Sequence, residues 1–272
     1  MLEPLRLMCV LAHPDDESLG NGGTLAKCAD EGIELSLVTA TRGQRGWKGP
    51  KDEDPGPDAL GALRTAELEA AAAVLGISRL WVLDHMDGAL DQADPQRVTL
   101  EIAQRIREAK PQVVLTFGPD GIYGHPDHIA ISQFATAALV RAAAPDDALG
   151  GEPHAVSKLY YAAVTRELID AYEAVFGVFD KHVDGRGRRA FAWPDWAVTS
   201  RIDARRFGGT VWEEIREHRS QLRDYQKLAE LPEEQWLRMF GEQTYYRAFS
   251  LVNGGRGVED DLFAGLREGR HG

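Results

Sequence analysis

Apolar segments alternate with helical segments along the first half of the chain. The apolar segments cover residues 7–11, 33–40, 80–83 and 113–117. Short runs of this kind are typical of parallel strands that are buried on both faces. A helix is predicted to start at residues 24–29, and further helices are predicted at residues 60–75, 95–109 and 129–143. The alternation predicts an α/β fold, a Rossmann-like three-layer sandwich with a mostly parallel sheet and right-handed crossovers.

The second half of the chain is less regular. It predicts strands over residues 159–164 and 196–202 and a helix over residues 212–228. Neither an internal repeat nor a clean linker occurs in the sequence. We therefore expect a single domain over residues 1–272, with a core at about 5–165 and a C-terminal elaboration at about 166–272.

Composition narrows the class of protein. The 272 residues are 43% hydrophobic and 27% charged, which is ordinary for a globular protein. The 31 basic and 43 acidic residues give a net charge of −12 without a Lys/Arg stripe, which excludes nucleic acid as a partner.

No apolar run is long enough for a membrane span, and the first predicted strand begins too close to Met1 for a secretion signal. Two cysteines do not indicate a disulfide framework, so we expect a cytoplasmic protein. Its oligomeric state, a homo-oligomer included, stays open.

Ionisable residues gather directly after the first and fourth predicted strands. Residues 12–17 read AHPDDE, and residues 124–128 read GHPDH. The carboxyl ends of parallel strands form the crevice where α/β proteins bind ligands. The side chains that could meet there are His13, Asp16, His125 and His128. Two histidines and one carboxylate suit a catalytic zinc, which takes three protein ligands and leaves a fourth position for water.

The first motif alone has a simpler interpretation as a turn. Pro14 could end the strand, and an Asp or Ser18 could cap the next helix. A lone histidine in an α/β core is more often a packing residue than a ligand. Two clusters after two buried strands favour the metal site.

Two segments rich in glycine and charge could cover this site. Residues 41–61 hold Trp47 among basic residues, and a loop of this length is usually functional or disordered. Trp47 favours a lid or a substrate wall, with a disordered surface loop as the alternative. Residues 177–195 contain a Gly/Arg-rich loop around 184–189. The sequence leaves open whether either segment closes over a substrate.

These motifs together resemble the LmbE-like, or PIG-L, family of zinc-dependent de-N-acetylases. The resemblance starts from the AHPDDE and GHPDH motifs and extends to weaker ones in the same order. The weaker motifs are R-x-x-E-L at residues 64–68, D-G at Asp87 and H-x-S-Q at residues 218–221. The family includes enzymes that deacetylate N-acetylglucosaminyl-phosphatidylinositol and the sugar precursors of mycothiol and bacillithiol.

The resemblance implies a role for nine residues. His13, Asp16 and His128 match the metal ligands. Asp15 matches the general base, His125 the group that stabilises the oxyanion or supplies a proton, and Asp127 the acid that orients His125. Arg64, Asp87 and Tyr123 match positions near the bound sugar. The resemblance implies no firm role for His218 and Gln221.

The chemistry of these groups agrees with amide hydrolysis. Zinc lowers the pKa of bound water to about 7 and polarises a carbonyl. Asp15 can take a proton from that water, and a protonated His125, favoured by Asp127, can stabilise the oxyanion. We expect a small-molecule N-acetylated sugar conjugate of the N-acetylglucosamine type as substrate. Zn²⁺ is the expected cofactor, with another divalent ion such as Fe²⁺ as the alternative.

Two other functions fit the same residues. A metal-dependent hydratase or lyase on this fold could add water to an unsaturated carboxylic acid. A metal-containing binding module without turnover is the third class. A purely structural zinc would close its fourth position, usually with cysteine, and no cysteine lies in either motif.

Overall fold

The computed structural model describes residues 4–145, 147–183 and 185–267. The β-strands are β1 Arg6–Leu11, β2 Glu34–Thr41, β3 Ile77–His85, β4 Val113–Phe117, β5 Lys158–Ala162, β6 Asp180–Val183, β7 Arg186–Arg189, β8 Ser200–Asp203 and β9 Glu242–Ser250. The α-helices are α1 Asp16–Asp30, α2 Pro57–Val74, α3 Pro95–Ala109, α4 Gly121–Gly124, α5 Pro126–Ala143, α6 Arg166–Phe176, α7 Gly208–Ile215, α8 Leu222–Tyr225 and α9 Glu233–Phe240.

A seven-stranded sheet has the order β3-β2-β1-β4-β5-β9-β8. The first five strands are parallel, and β9 and β8 extend the sheet in antiparallel fashion. The strand order reverses between β1 and β4, which pair with Leu7 opposite Val113 and Cys9 opposite Leu115. In open α/β sheets this reversal opens a crevice beyond the carboxyl ends of the two strands. The loops after β1 and β4 therefore emerge side by side.

Helices cover both faces of the sheet. Helices α3 and α5 pack against each other and against β1, while α1 contacts β2, β9 and α7 from the other face. Strands β1 and β4 are buried almost throughout, because their apolar side chains face a helix layer on either side. The predicted α/β fold with a mostly parallel sheet is confirmed.

Several boundaries differ from the sequence prediction. Helix α1 begins at Asp16 rather than near residue 24, so the glycines of residues 20–23 lie inside it. A Cβ at Gly23 would overlap the Cβ of Ala204, so glycine allows the chain after β8 to approach the helix. Helix α5 also begins early, at Pro126, because His125 caps it: the His125 Nδ1 accepts a hydrogen bond from the Asp127 amide.

The predicted helix over residues 212–228 is wrong. Helix α7 ends at Ile215, and residues 216–221 leave the helix before α8. Strand β9, between β5 and β8, was not predicted, because polar and apolar residues alternate irregularly along it and most of them are only half-buried. Part of the loop predicted over residues 177–195 is an antiparallel hairpin of β6 and β7.

A second apolar cluster lies beside the main core. It joins α6, α7 and α9 around the buried side chains of Val211, Ile215, Leu228, Met239 and Phe240. The main core lies around the sheet. Within the described ranges, the helices are all too short or too polar to cross a membrane.

Candidate metal and active site

The crevice between β1 and β4 brings three histidine rings together. The ring centres of His13 and His125 are 4.9 Å apart, those of His13 and His128 5.2 Å, and those of His125 and His128 4.6 Å. The His128 ring also stacks on Phe117 at 3.9 Å, which fixes its plane. Both sequence motifs therefore contribute to one buried cluster.

Two carboxylates hold His13 from one side. The His13 Nε2 donates to the Asp127 Oδ2 at 3.1 Å and lies 3.2 Å from the Asp87 Oδ1. The Asp127 carboxylate also accepts the Gly88 and Leu90 amides at 2.7 Å and 3.0 Å. This arrangement leaves the His13 Nδ1 facing Asp16 and His128.

The expected partner of Asp127 is therefore corrected. Asp127 does not orient His125 through its carboxylate, which is directed at His13. Asp127 contacts His125 through its backbone amide, which donates a hydrogen bond to the His125 Nδ1 at 3.2 Å. Because Nδ1 accepts this hydrogen bond, the proton of a neutral His125 resides on Nε2.

The electrostatics of the cluster oppose the positive charge expected on His125. Burial, followed by the charges of His128 and His13, lowers the pKa of His125 to about 3. The nearby carboxylates of Asp127 and Asp16 oppose this shift without reversing it. This shift favours the neutral form of His125, which can donate a hydrogen bond from Nε2 without carrying a positive charge.

Three side chains have donor atoms at the spacing of metal ligands. The His128 Nε2 lies 3.3 Å from the His13 Nδ1 and 3.5 Å from the Asp16 Oδ1, and the His13 Nδ1 lies 3.5 Å from the Asp16 Oδ2. In a tetrahedral site with bonds of about 2.0–2.1 Å, pairs of ligand atoms are about 3.3–3.4 Å apart. The Asp16 carboxylate is held in place by the amides of Ala12 and His13, at 3.1 Å and 2.7 Å.

The electrostatics of the cluster also fit a cation. Burial alone would lower the pKa of His13, but hydrogen bonds with Asp127, Asp16 and Asp87 raise it well above its usual value. A histidine whose pKa is raised this far lies in a negative electrostatic potential. A metal ion that replaced the proton would neutralise that potential. The buried His/Asp cluster can therefore bind a metal.

Asp15 is held in a strained conformation beside this cluster. Its φ of 103° lies in the region that favours glycine, and it is one of three non-glycine residues with positive φ among those described. The Asp15 amide donates to the Glu17 Oε2 at 3.1 Å, and its carboxylate lies 3.3 Å from the Arg64 Nη2. Burial raises the pKa of Asp15, while Arg64 lowers it. Backbone strain of this kind persists where the surroundings over-determine it, often at functional sites.

Arg64 joins two loops under the site. Its guanidinium donates to the Pro14 carbonyl at 2.5 Å and to the Gly43 carbonyl at 3.0 Å. A Cβ at Gly43 or Gly46 would overlap the guanidinium, so glycine at both positions makes room for it. Arg64 and Glu67 are both buried, and Glu67 accepts hydrogen bonds from the amide and hydroxyl of Ser220.

One pocket of about 480 Å³ contains eight of the nine predicted site residues. The ninth, Asp127, is buried behind His13. The Tyr123 ring lies 5.7 Å from the rings of both His125 and His128, and burial raises its pKa, so its hydroxyl stays neutral. Asp87 also accepts the Arg45 amide at 2.9 Å, which ties the segment after β2 to the end of β3.

Trp47 does not line this pocket. Its ring packs on Gly49, and its Nε1 donates to the Pro50 carbonyl at 2.8 Å, so it folds back onto its own segment. Arg45, Gly46 and Lys48 of the same segment do line the pocket. Of the two segments that could cover the site, the 177–195 segment supplies Phe179, Lys181 and Val183. The apolar part of the pocket lining was not predicted from the sequence.

Glu17, His218 and Glu214 form a buried network behind Asp15. The His218 Nε2 donates to the Glu17 Oε1 at 2.5 Å and lies 3.8 Å from the Glu214 Oε1. Ser18 links Glu17 and Glu214 through its hydroxyl. Because Glu17 also accepts the Asp15 amide, the network supports the strained backbone of Asp15. Gln221 donates to the Gly46 carbonyl at 3.0 Å, so the H-x-S-Q motif is anchored against the site.

We expect the variant Glu214→Gln to flatten the pH dependence of stability. Burial raises the pKa of Glu214 to about 8 from 4.5, and the neighbouring Glu17 raises it while His218 and Ser18 oppose the shift. The folded chain therefore holds a proton that the unfolded chain releases, so stability falls from about pH 4.5 to about pH 8. The raised pKa of His218 adds a further fall above its usual value of 6.5. Melting temperatures from pH 5 to 9 should fall less steeply in Glu214→Gln than in wild type.

A matched variant separates the two glutamates of this network. Glu17 is ionised, because His218 lowers its pKa despite burial. Glu17→Gln should therefore cost about 3–5 kcal/mol at pH 7, as expected for breaking a buried ion pair. Glu214→Gln, which replaces a neutral acid, should cost much less. Equal pH slopes in wild type and Glu214→Gln would contradict a protonated Glu214.

The fold and the donor set define an α/β protein with a candidate metal centre at the switch point of its sheet. A profile of the GlcNAc-PI de-N-acetylase (PIG-L) family matches residues 8–139. The 1D-myo-inositol 2-acetamido-2-deoxy-α-D-glucopyranoside deacetylase of Kineococcus radiotolerans is 32% identical over 97% of this chain and 84% of its own length. The chain therefore belongs to the PIG-L family, and the resemblance found in the sequence is confirmed.

Solved structures share the fold. The N,N′-diacetylchitobiose deacetylase of Pyrococcus horikoshii superposes with a TM-score of 0.60 at 22% identity, over 85% of this chain and 72% of that one. The 4-carboxy-2-hydroxymuconate hydratase of Pseudomonas putida KT2440 superposes with a TM-score of 0.69 at 17% identity, over 92% and 99% of the two chains. At these identities the comparison shows the fold alone, so it does not distinguish a hydrolase from a hydratase.

Proposed function

We propose that this chain is a metal-dependent hydrolase that removes an N-acetyl group, or a related N-acyl group, from an N-acetylglucosamine-type conjugate. One observation carries the proposal: His13, Asp16 and His128 converge in a pocket that also holds Asp15 and His125. Membership of the PIG-L family and the deacetylase names of its curated relatives support amide hydrolysis over hydration. The substrate is a small N-acetylated sugar conjugate.

We assign the metal to His13, Asp16 and His128, with zinc as the ion and Fe²⁺ as the alternative. A donor set of two imidazoles and one carboxylate is typical of catalytic zinc sites. Asp127 and Asp87 orient His13 as the hydrogen-bonding partners of a metal-ligating histidine usually do. When bound, the ion would polarise the amide carbonyl and acidify a water molecule.

The protein's own groups then supply the proton transfers. Asp15 takes a proton from the attacking water, and its raised pKa suits a base that must later release that proton. The neutral His125 donates its Nε2–H to the carbonyl oxygen as negative charge develops there. The proton held by Asp15 passes to the amide nitrogen as the C–N bond breaks. The products are acetate and a free amine.

The remaining predicted residues have different roles in this proposal. Arg64 positions Asp15, because its guanidinium already binds Asp15 and two backbone carbonyls. Asp87 orients His13 at the edge of the pocket. Tyr123 is the neutral hydroxyl that faces the substrate, beside His125 and His128.

Product analysis tests the proposal. Metal-replete protein should release acetate and amine in equal amounts from at least one member of a panel of N-acetylglucosamine conjugates, the inositol glycoside included. A chelator should abolish the reaction, and readdition of zinc should restore it. Hydration of an unsaturated dicarboxylic acid without acetate release from any conjugate would contradict the proposal and favour the hydratase.

A further inference from the structure

The H-x-S-Q motif at residues 218–221 forms a tight turn between α7 and α8, here called the H-x-S-Q turn. The His218 amide donates to the Ile215 carbonyl at 3.2 Å, and the Gln221 amide donates to the His218 carbonyl at 2.9 Å. The side chains of His218 and Gln221 are almost completely buried. Three side chains of this turn reach the groups that hold Asp15, near the start of the chain.

Asp15 does not use its carboxylate as an aspartate in its position usually does. It directly precedes α1, where an aspartate usually accepts a hydrogen bond from an amide of the first helical turn. With φ at 103°, the Asp15 carboxylate makes no such bond within the described helix, and it lines the pocket instead. A backbone conformation of this kind persists only where surrounding contacts hold it.

His218 supports the backbone of Asp15 through Glu17. Its Nε2 donates to the Glu17 Oε1 at 2.5 Å, and the Glu17 Oε2 accepts the Asp15 amide at 3.1 Å. Both side chains are buried, and neither lines the described pocket. A buried ion pair is weak evidence for stability, since apolar residues of similar volume often stabilise a fold as well. We therefore look for its role in the backbone amide that it fixes.

Ser220 supports the carboxylate of Asp15 through α2. Its amide and hydroxyl donate to the Glu67 carboxylate at 2.8 Å and 2.7 Å. Glu67 lies three residues after Arg64 on α2, and the Arg64 Nη2 lies 3.3 Å from the Asp15 Oδ2. The contact with Ser220 therefore fixes the part of the helix from which Arg64 reaches Asp15.

Gln221 supports the loop that surrounds the Arg64 guanidinium. Its Nε2 donates to the Gly46 carbonyl at 3.0 Å, and the Gly46 amide donates to the Gly43 carbonyl at 3.1 Å. The same Gly43 carbonyl accepts a hydrogen bond from Arg64 at 3.0 Å. The three contacts of the turn thus meet at two groups that hold Asp15, the acceptor of its amide and the partner of its carboxylate.

We propose that the H-x-S-Q turn positions the general base, because it holds the Asp15 carboxylate where it can take a proton from the attacking water. This inference rests on the proposed function and adds positioning residues to it. His218 acts on the Asp15 amide, and Ser220 acts on the Arg64 guanidinium. A displacement of about 1 Å at a catalytic group can cost on the order of 100-fold in rate, so the loss of either contact lowers turnover.

Kinetics of turn variants test the inference, measured on metal-replete protein with N-acetylglucosamine and its inositol glycoside. His218→Leu should lower kcat by about 10–100-fold and leave KM within about threefold, because the contact acts on the base rather than on substrate binding. His218→Gln keeps an N–H donor for Glu17 and should restore kcat to within about fivefold of wild type. Loss of substrate affinity in place of kcat would overturn the inference.

Arg219→Gln is the matched control within the same turn. Arg219 is exposed and pairs with Glu217 at 3.1 Å, and it does not line the described pocket. Its replacement should change kcat by less than about twofold, because exposed ion pairs contribute little. A loss of kcat as large as that of His218→Leu would show a general disturbance of the turn and would overturn the inference.

Ser220→Ala keeps the inference falsifiable if His218→Leu does not fold. Alanine removes the hydroxyl bonds to Glu67 and Gln221, but its amide still donates to Glu67. The protein should therefore fold, with kcat lowered by about 3–10-fold and KM unchanged. Wild-type kcat in Ser220→Ala would overturn the inference.

A double-mutant cycle shows whether His218 acts through Asp15. In Asp15→Asn protein the base is already lost, so the addition of His218→Leu should lower the residual rate by less than about threefold. A merely structural role would lower the rate by the same factor in both backgrounds, and that result would overturn the inference. Metal content should stay near one per chain throughout.

Crystal structures of zinc-loaded His218→Leu and Ser220→Ala separate this inference from the proposed function. In each, Asp15 should leave its φ of 103° or its carboxylate should move away from Arg64, whether or not a conjugate is hydrolysed. An unchanged Asp15 in both structures would overturn the inference and leave the hydrolase intact. A displaced Asp15, in a protein whose wild type releases no acetate, would overturn the hydrolase and retain the support of Asp15 by the turn.

Discussion

The variant Asp15→Asn should keep its metal and lose turnover, with kcat lowered by roughly 10²–10⁴-fold, the usual contribution of a general base. Asparagine has nearly the same shape as aspartate and tolerates positive φ, so the backbone at φ 103° should be retained. Its amide cannot accept the proton that the carboxylate accepts. Because Asp15 is directed at Arg64 and not at His13 or His128, metal content should stay near one per chain.

A charge-matched control supports the interpretation. Asp84→Asn removes one carboxylate from an exposed position, where Asp84 pairs with Arg42 at 2.8 Å. It should change kcat by less than twofold, because exposed ion pairs contribute little. If Asp15→Asn retained more than a tenth of wild-type kcat, Asp15 would not be the base, and Tyr123 or a pocket carboxylate would have to be considered.

The positions of the site residues could be predicted because they depend on a topological rule. Buried apolar runs end at residues 11 and 117, and parallel strands place their carboxyl ends at one edge of the sheet. His13 and His128, which are 115 residues apart, therefore meet. No long-range information beyond the strand pattern was needed for this step.

The partners of these side chains could not be predicted in the same way. Spacing along a loop indicates which residues are near one another, but not which atom each side chain faces. Asp127 binds His13 because the amides of Gly88 and Leu90 hold its carboxylate from a third strand end. The lowered pKa of His125 likewise depends on burial beside two other histidines, which only the three-dimensional arrangement reveals.

Helical periodicity was misleading in the C-terminal half. Residues 216–221 leave the helix because His218, Ser220 and Gln221 bind Glu17, Glu67 and Gly46. Such buried polar contacts override a weak helix propensity. The apolar side of the pocket could not be predicted for a related reason. An apolar helix face such as that of α6 has the same sequence pattern whether it lines a core or a pocket.

Metal analysis of four variants should distinguish the ligands from their neighbours. His128→Ala and Asp16→Asn should each lower bound metal to well below one per chain, because each removes one of three converging donors. Asp127→Asn should weaken metal affinity by roughly 10–100-fold, the usual effect of losing the group that orients a metal-ligating histidine.

His125→Gln is the discriminating variant in this set. One ring nitrogen from each of His13, His125 and His128 lies within 4.8 Å of the other two, so distance alone would allow His125 as a ligand in place of Asp16. However, the His125 Nδ1 already accepts the Asp127 amide, while Asp16 is ionised, since the charges of His128 and His13 lower its pKa well below the usual value despite burial. We therefore expect His125→Gln to retain metal, measured by elemental analysis after dialysis and by competition with a chromophoric chelator, and to lower kcat and kcat/KM together. Loss of metal from His125→Gln with retention by Asp16→Asn would exchange the two roles and make His125 the third ligand.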